Sequence, residues 1–121
     1  MIVSKKISFD AAHFLPYYVG PCRNLHGHHW VVELGVKGQV MEEHGFVVDF
    51  SKLKSFLDDY VISEFDHSLL NDKIENPTAE NIVLYIKKKF DEAGWSISGD
   101  VTLALIRVWE TDDSMAEYRH D

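Results

Sequence analysis

The chain has 121 residues and a mass of 13.9 kDa, and its 45% hydrophobic and 26% charged residues predict one globular domain spanning residues 1–121. Its 12 basic and 20 acidic residues give a net charge of −8, which argues against a nucleic-acid binder because phosphate backbones require basic patches. A single cysteine, the lack of a signal-peptide core and the lack of a long apolar run predict a cytoplasmic protein without disulfides or a membrane partner.

Two strands are predicted first. Residues 2–14 alternate in polarity, and residues 28–38 alternate again after a loop at 15–25. Gly35 and Gly38 weaken the second strand and indicate a bulge. The side chains expected on one side are Ile7, Phe9, Ala11 and His13 in the first strand, and Trp30, Val32, Leu34 and Val36 in the second.

Two helices and a hairpin follow. Ser51 is the expected N-cap of the first helix and Thr78 that of the second, which Gly94 ends. Residues 101–109 and 114–118 predict a hairpin around the turn at 111–113. The order ββααββ predicts an α+β fold, with a four-stranded antiparallel sheet and two helices on one face. The apolar residues at helical spacing are Leu53, Phe56, Leu57, Tyr60 and Val61, then Ile82, Val83, Ile86 and Phe90.

Histidines suggest a metal site. His26 and His28 are two residues apart, so on an extended chain both imidazoles point to the same side. His13 ends the first strand, and antiparallel pairing of the two strands brings it beside them. Three neutral imidazoles suit zinc and leave a coordination position open, which is typical of a catalytic site. His29 faces the other way on the same strand.

Other polar residues near these positions have less specific signals. Cys22 lies in the loop before His26, where a thiolate could act as base, nucleophile or fourth metal ligand. Asp66 could orient His67 for acid–base chemistry, although a histidine after a helix also interacts with the last carbonyls. Glu110 ends an apolar strand, where a carboxylate is either solvated or able to accept two parallel N–H groups.

Together these residues resemble the family of 6-pyruvoyltetrahydropterin and 6-carboxytetrahydropterin synthases. The resemblance covers nearly the whole chain in the right order. The matching stretches are FDAAH at 9–13, CRNLHGH at 22–28, VDF at 48–50, FDHSLLN at 65–71, PTAEN at 77–81 and WET at 109–111.

The resemblance implies a tunnelling fold, in which subunits join edge to edge into a barrel. Trimers of this kind stack in pairs, so the expected assembly is a homohexamer with active sites between subunits. Such an assembly would also cover the open edges of a small sheet.

The resemblance also implies the substrate and the residue roles. His13, His26 and His28 would hold Zn²⁺, and the substrate would be 7,8-dihydroneopterin triphosphate. Cys22 would be the general base, and Asp66 with His67 the proton relay. Glu110 would anchor the pterin, with Thr78 as a further contact. Ala79 departs from the family pattern, because many relatives carry a hydroxyl residue there.

The spacing of Cys22 and His26 resembles the carboxy-forming enzymes of the 7-deazapurine (queuosine-type) pathway, which also release acetaldehyde. The expected product is therefore 6-carboxy-5,6,7,8-tetrahydropterin. The alternatives are a 6-pyruvoyltetrahydropterin synthase, a non-catalytic pterin- or zinc-binding protein, and a structural zinc protein with Cys22 as fourth ligand. A subgroup with a glutamate three residues before the histidine pair is disfavoured, because Arg23 occupies that position.

Overall fold

The computed structural model describes residues 1–94 and 101–120, so the predicted domain 1–121 includes a segment, 95–100, and a terminal residue outside the described part. The strands are β1 (Ile2–His13), β2 (His26–Lys37), β3 (Ser68–Leu69), β4 (Thr102–Thr111) and β5 (Ser114–Arg119). The α-helices are α1 (Phe50–Leu57), α2 (Ser63–Phe65) and α3 (Ala79–Glu92).

One sheet contains the five strands in the order β3-β1-β2-β4-β5. The pairs β1–β2, β2–β4 and β4–β5 are antiparallel, which confirms the α+β class and the antiparallel pairing of the four predicted strands, although the sheet has five strands and is mixed. The structure adds β3, a two-residue parallel strand that pairs with β1 only at Ala11 and Ala12. Two residues carry too little pattern to be found by alternation.

The strands follow the predicted alternation. Phe9, Ala11 and His13 are buried on one face of β1, and Trp30 and Val32 continue that face in β2. β2 begins at His26, two residues earlier than predicted, because His26 pairs with His13. The predicted irregularity is confirmed as a register shift between Gly35 and Val36 against β4.

The first helical region differs from its prediction at the start. Asp49, and not Ser51, is the N-cap of α1, because the Asp49 carboxylate accepts the Ser51 N–H at 2.8 Å. A π-helical turn, Asp58–Ile62, then joins α1 to α2, so the predicted helix is made of three pieces. The apolar stripe is nonetheless correct, since Leu53, Phe56, Leu57 and Val61 are buried.

The second predicted helix is confirmed as α3. The Thr78 hydroxyl caps it by accepting the Asn81 N–H at 3.1 Å. Gly94 follows the end of the helix with φ of +56°, the left-handed conformation that glycine adopts most readily. Its buried side chains are the four predicted ones, Ile82, Val83, Ile86 and Phe90.

The core lies between one face of the sheet and the helices. Phe9 stacks on Trp30 at 6.3 Å between ring centroids and also contacts Phe65 at 5.7 Å. This packing leaves the last residues of β1 and β4 and the first residues of β2 at one edge of the core, where the predicted metal ligands and Glu110 lie. Within the described residues, every helix is too short or too polar to cross a membrane.

Candidate metal centre

Three strand ends bring four potential ligands together. His13 is the last residue of β1, and His26 and His28 lie at the start of β2. Antiparallel pairing sets His13 opposite His26 and Ala11 opposite His28, so the three imidazoles share the core-facing side. Glu110 comes from the end of β4, which pairs with β2 through Val31 and Trp109.

The side chains of this cluster converge on one point. The Nε2 atoms of His13 and His26 are 3.0 Å apart. Glu110 Oε1 lies 3.3 Å from His13 Nε2 and 3.4 Å from His28 Nε2. One ligand atom from each of the four residues lies within 4.8 Å of the other three, which is the spacing of a site that could hold a metal ion.

Backbone carbonyls fix the tautomers of two of these imidazoles. A carbonyl oxygen only accepts, so His13 Nδ1–H donates to Pro77 O at 2.8 Å and His26 Nδ1–H donates to Asn24 O at 2.7 Å. In the neutral rings the Nε2 atoms therefore present lone pairs to each other and to the Glu110 carboxylate. A cation satisfies such a set of acceptors, and carbonyl-oriented histidines are typical of metal sites. The residues fit a metal.

The floor of the cluster is aromatic and largely buried. His13 is fully buried, and the rings of His13 and His28 meet Trp30 edge-on at 5.0 and 5.4 Å. Burial lowers the pKa of His13 and of His28, because both imidazolium forms lose hydration there. Burial therefore favours the neutral imidazole in both rings, which is the form that binds a metal.

Glu110 also faces a second space. It lines a depression of about 470 Å³ together with Ala79, Glu80 and Ser114. The Glu110 side chain is 30% exposed, whereas that of His13 is fully buried. Glu110 therefore stands between the histidines and a space large enough for a small heterocycle.

Cys22 lies outside the cluster of ligand atoms. It belongs to a 3₁₀ turn, Pro21–Arg23, and its carbonyl accepts the Leu15 N–H at 2.8 Å. Among the described residues, the potential ligands that group together are the three histidines and Glu110. The sequence left Cys22 open as a fourth ligand; in the described residues, the group of potential ligands contains Glu110 and not Cys22.

Asp66 and His67 form a pair beside β1. His67 has φ of +59°, and this turn brings its Nδ1 to 3.0 Å from Asp66 Oδ1. Asp10 holds both residues, since its N–H donates to Asp66 Oδ1 at 3.1 Å and its carbonyl accepts the His67 N–H at 2.7 Å. The Asp10 N–H also holds the pKa of the Asp66 carboxyl below its usual value.

A second pair of the same kind was missed in the sequence. His29 Nδ1 lies 2.7 Å from Asp10 Oδ1, because the two residues are directly opposite in the β1–β2 register. His29, Asp10 and His67 line one depression of about 540 Å³. In the described part of the chain, no hydrogen bond or ion pair joins Asp10, His29, His67 or Cys22 to the three histidines and Glu110 of the candidate metal site.

Thr78 and two histidines outside the site have structural contacts. Thr78 caps α3 directly after Pro77, the residue whose carbonyl orients His13. His44 accepts the Phe46 N–H in a turn, and the His120 N–H donates to Ala104 O. Glu110 was predicted as a substrate contact only. Its approach to the histidines depends on a pairing across many residues that no local pattern reveals.

Known proteins resemble the chain along its whole length. A family model described as 6-pyruvoyl tetrahydropterin synthase matches residues 2–121. A putative 6-carboxy-5,6,7,8-tetrahydropterin synthase of Archaeoglobus fulgidus is 40% identical over 119 residues, covering 98% of this chain and 96% of the relative. The 6-carboxy-5,6,7,8-tetrahydropterin synthase of Synechocystis sp. is 42% identical over 123 residues, covering 97% and 92%.

Two further similarities concern a different activity and a solved structure. A dihydroneopterin monophosphate aldolase of Pyrococcus furiosus is 38% identical over 108 residues, covering 89% of this chain and 88% of the relative. The structure of Caenorhabditis elegans 6-pyruvoyl tetrahydropterin synthase superposes with a TM-score of 0.85 at 25% identity, covering 100% of this chain and 96% of the other.

Proposed function

This chain belongs to the 6-pyruvoyl tetrahydropterin synthase family and is a lyase of the pterin synthase type, and on that basis we propose that it is a zinc-dependent 6-carboxy-5,6,7,8-tetrahydropterin synthase. It converts 7,8-dihydroneopterin triphosphate with loss of triphosphate and acetaldehyde, in a pathway leading to 7-deazapurines. The observation that carries the proposal is the convergence of His13, His26, His28 and Glu110, a set of acceptors that a cation satisfies, at the end of the sheet.

His13, His26 and His28 hold the metal. Their orientation is built into the fold, since Pro77 O and Asn24 O fix two of the rings before any ion binds. Zn²⁺ is favoured by three imidazole nitrogens. When bound, it supplies a Lewis acid that lowers the pKa of substrate hydroxyl groups.

Glu110 and Thr78 recognise the pterin. The Glu110 carboxylate borders the depression of about 470 Å³ and accepts the 2-amino and ring N–H groups, which present two parallel donors. Thr78 lies beside that depression at the N-terminus of α3, next to Ala79 in its lining. Ala79 offers no hydroxyl, so Glu110 and Thr78 carry the recognition.

Proton transfer is assigned to Cys22 and to the Asp66–His67 pair. Cys22 acts as general base, and Asp66 keeps His67 oriented through the 3.0 Å contact with Nδ1. In the described part of one chain, no hydrogen bond or ion pair joins these groups to the three histidines or Glu110, although His67 and His28 line the same depression. We therefore place the complete site between subunits of a homohexamer built from two trimers.

The open edge of the sheet supports such an assembly. β1 pairs with β3 at only two positions, which leaves residues 2–9 without a strand neighbour on that side in the described part of the chain. Unpaired strand edges are usually covered in native proteins, and a neighbouring subunit supplies the cover here.

A second candidate is an aldolase acting on dihydroneopterin monophosphate, and the relative from Pyrococcus furiosus favours it. The test is to incubate the zinc-loaded protein with each dihydroneopterin phosphate and identify the products by mass spectrometry. The same assay distinguishes both candidates from a 6-pyruvoyltetrahydropterin synthase and from a non-catalytic pterin-binding protein.

Each product has a distinct meaning. A 6-carboxytetrahydropterin with acetaldehyde from the triphosphate supports the proposal, and a 6-pyruvoyl product replaces it with the second branch of the family. Side-chain cleavage of the monophosphate alone assigns the aldolase. Unchanged substrates in the presence of folded, zinc-loaded protein would leave a binding role.

A further inference from the structure

Glu110 lies beside the histidines of the candidate metal site and also lines the proposed pterin pocket. We propose that its carboxylate is the fourth ligand of the metal in the substrate-free protein and that it leaves the metal to bind the pterin when substrate enters. The second half rests on the proposed function, whereas the ligand role does not.

The ligand role follows from the chemistry of the donor set. Glu110 Oε1 lies 3.3 Å from His13 Nε2. In the neutral ring Nε2 carries a lone pair and no hydrogen, because Nδ1–H donates to Pro77 O. In that tautomer neither atom can donate to the other, and a cation between them would satisfy both. Three imidazoles and one carboxylate are an ordinary tetrahedral set for zinc.

An irregularity in strand β4 at Glu110 is consistent with the direction of its side chain toward the histidines. The β4–β5 register shifts between Trp109 and Thr111, so Glu110 has no partner residue in the pairing with β5. A β-bulge of this kind frees one residue from the ladder and redirects its side chain, and bulges are frequent beside active sites. Trp109 and Thr111 remain paired with Met115 and Ser114, which anchors both sides of the bulge.

The position of Glu110 also allows the exchange. Its side chain keeps 30% of its surface exposed and lines the depression that contains Ala79 and Ser114. The same carboxylate therefore borders both the histidines and the space proposed for the pterin. When Glu110 binds the pterin, the three histidines alone would hold the metal.

The test measures metal binding without substrate. Zinc affinity is determined by competition with a chromogenic chelator for the unmodified protein, for Glu110→Gln and for the matched control Glu80→Gln, which removes the same charge from the same depression. We expect Glu110→Gln to weaken zinc binding by about tenfold or more and Glu80→Gln to change it by less than about twofold. Equal zinc affinity in Glu110→Gln and the unmodified protein would overturn the ligand role.

Cobalt reports on the exchange. Co²⁺ replaces Zn²⁺, and neopterin, a pterin without phosphates, is added to the Co²⁺ protein. We expect neopterin to change the visible absorption of the unmodified Co²⁺ protein. We expect the spectrum of Glu110→Gln to differ from that of the unmodified protein already before neopterin is added. A spectrum that does not respond although neopterin binds, as measured by calorimetry, would overturn the exchange.

These outcomes separate the inference from the proposed function. If Glu110→Gln weakens zinc binding but the protein yields no product from either dihydroneopterin phosphate, the ligand role stands and the proposed function fails. If product forms and zinc affinity is unaffected by Glu110→Gln, the proposed function stands and the ligand role fails. Circular dichroism of each variant excludes unfolding as the cause.

Discussion

Asn71 connects the segment after α2, which contains Asp66 and His67, to the end of β1 at His13. The Phe14 N–H donates to Asn71 Oδ1 at 3.0 Å, and Asn71 Nδ2 donates to Phe14 O at 2.9 Å. β3 pairs with β1 at only two positions, and this side-chain amide continues the pairing where the strand has ended. The next residue, Leu15, donates its N–H to Cys22 O, so Asn71 positions both the end of β1 at His13 and the loop that contains Cys22.

The cost of removing this amide can be worked from its two bonds. Each net hydrogen bond contributes about 1 kcal/mol, and leaving partly buried backbone groups without partners adds to the loss. We therefore expect Asn71→Ala to lower the free energy of unfolding by about 2–3 kcal/mol and to weaken zinc binding. Asn71→Asp should be no better, because it keeps the acceptor for Phe14 N–H but turns a carboxylate oxygen toward Phe14 O.

Denaturant unfolding of the metal-free protein measures the first effect, and chelator competition measures the second. The matched control is Asp72→Ala in the same 3₁₀ turn, Leu70–Asp72, where an exposed side chain should change stability by less than about 0.5 kcal/mol. An Asn71→Ala protein as stable as the control, with unchanged zinc affinity, would refute this reasoning.

Three other substitutions test the packing at Gly35, the N-cap of α1 and the role of Cys22. Gly35→Ala places a Cβ 2.8 Å from Leu105 Cγ, so we expect a loss of about 1–3 kcal/mol in denaturant unfolding; Gly27→Ala, with 3.8 Å to its nearest neighbour, is the control and should unfold like the unmodified protein. Asp49→Ala removes the α1 cap. The Ser51 N–H lowers the pKa of Asp49 in the folded state, so the cap stabilises above the unfolded pKa and is lost as pH falls through the folded pKa. Melting curves should therefore differ at pH 7 and converge in acid; a difference independent of pH would contradict this. Cys22→Ala should bind zinc and neopterin but yield no product in the mass-spectrometric assay, and full turnover would remove Cys22 from the mechanism.

The sequence predicted what depends on local periodicity. Alternation placed Phe9 and Trp30 on the core face, and helical spacing identified the buried stripe of α3, because side-chain direction repeats with a fixed period in each element. The cap of α1 was wrong by two residues, since both Asp49 and Ser51 are good capping residues and only the backbone decides between them.

The parts of the site that were missed depend on pairing between distant segments. The faces of Asp10 and His29 follow from alternation, but their 2.7 Å contact requires the exact β1–β2 register. Glu110 reaches His13 across the sheet only because β4 pairs with β2 and is bulged at that residue. Registers and bulges are set by packing of the whole sheet, which no short stretch of sequence specifies.

This chain is a lyase of the pterin synthase type, and we propose that its chemistry depends on a metal held by His13, His26 and His28. The most direct test removes the metal with a chelator, follows the fold by circular dichroism and assays product from 7,8-dihydroneopterin triphosphate before and after zinc is restored. We predict that the metal-free protein stays folded, forms no product and recovers activity with zinc. Undiminished turnover without metal would contradict the claim, and unfolding on metal removal would assign the metal a structural role instead.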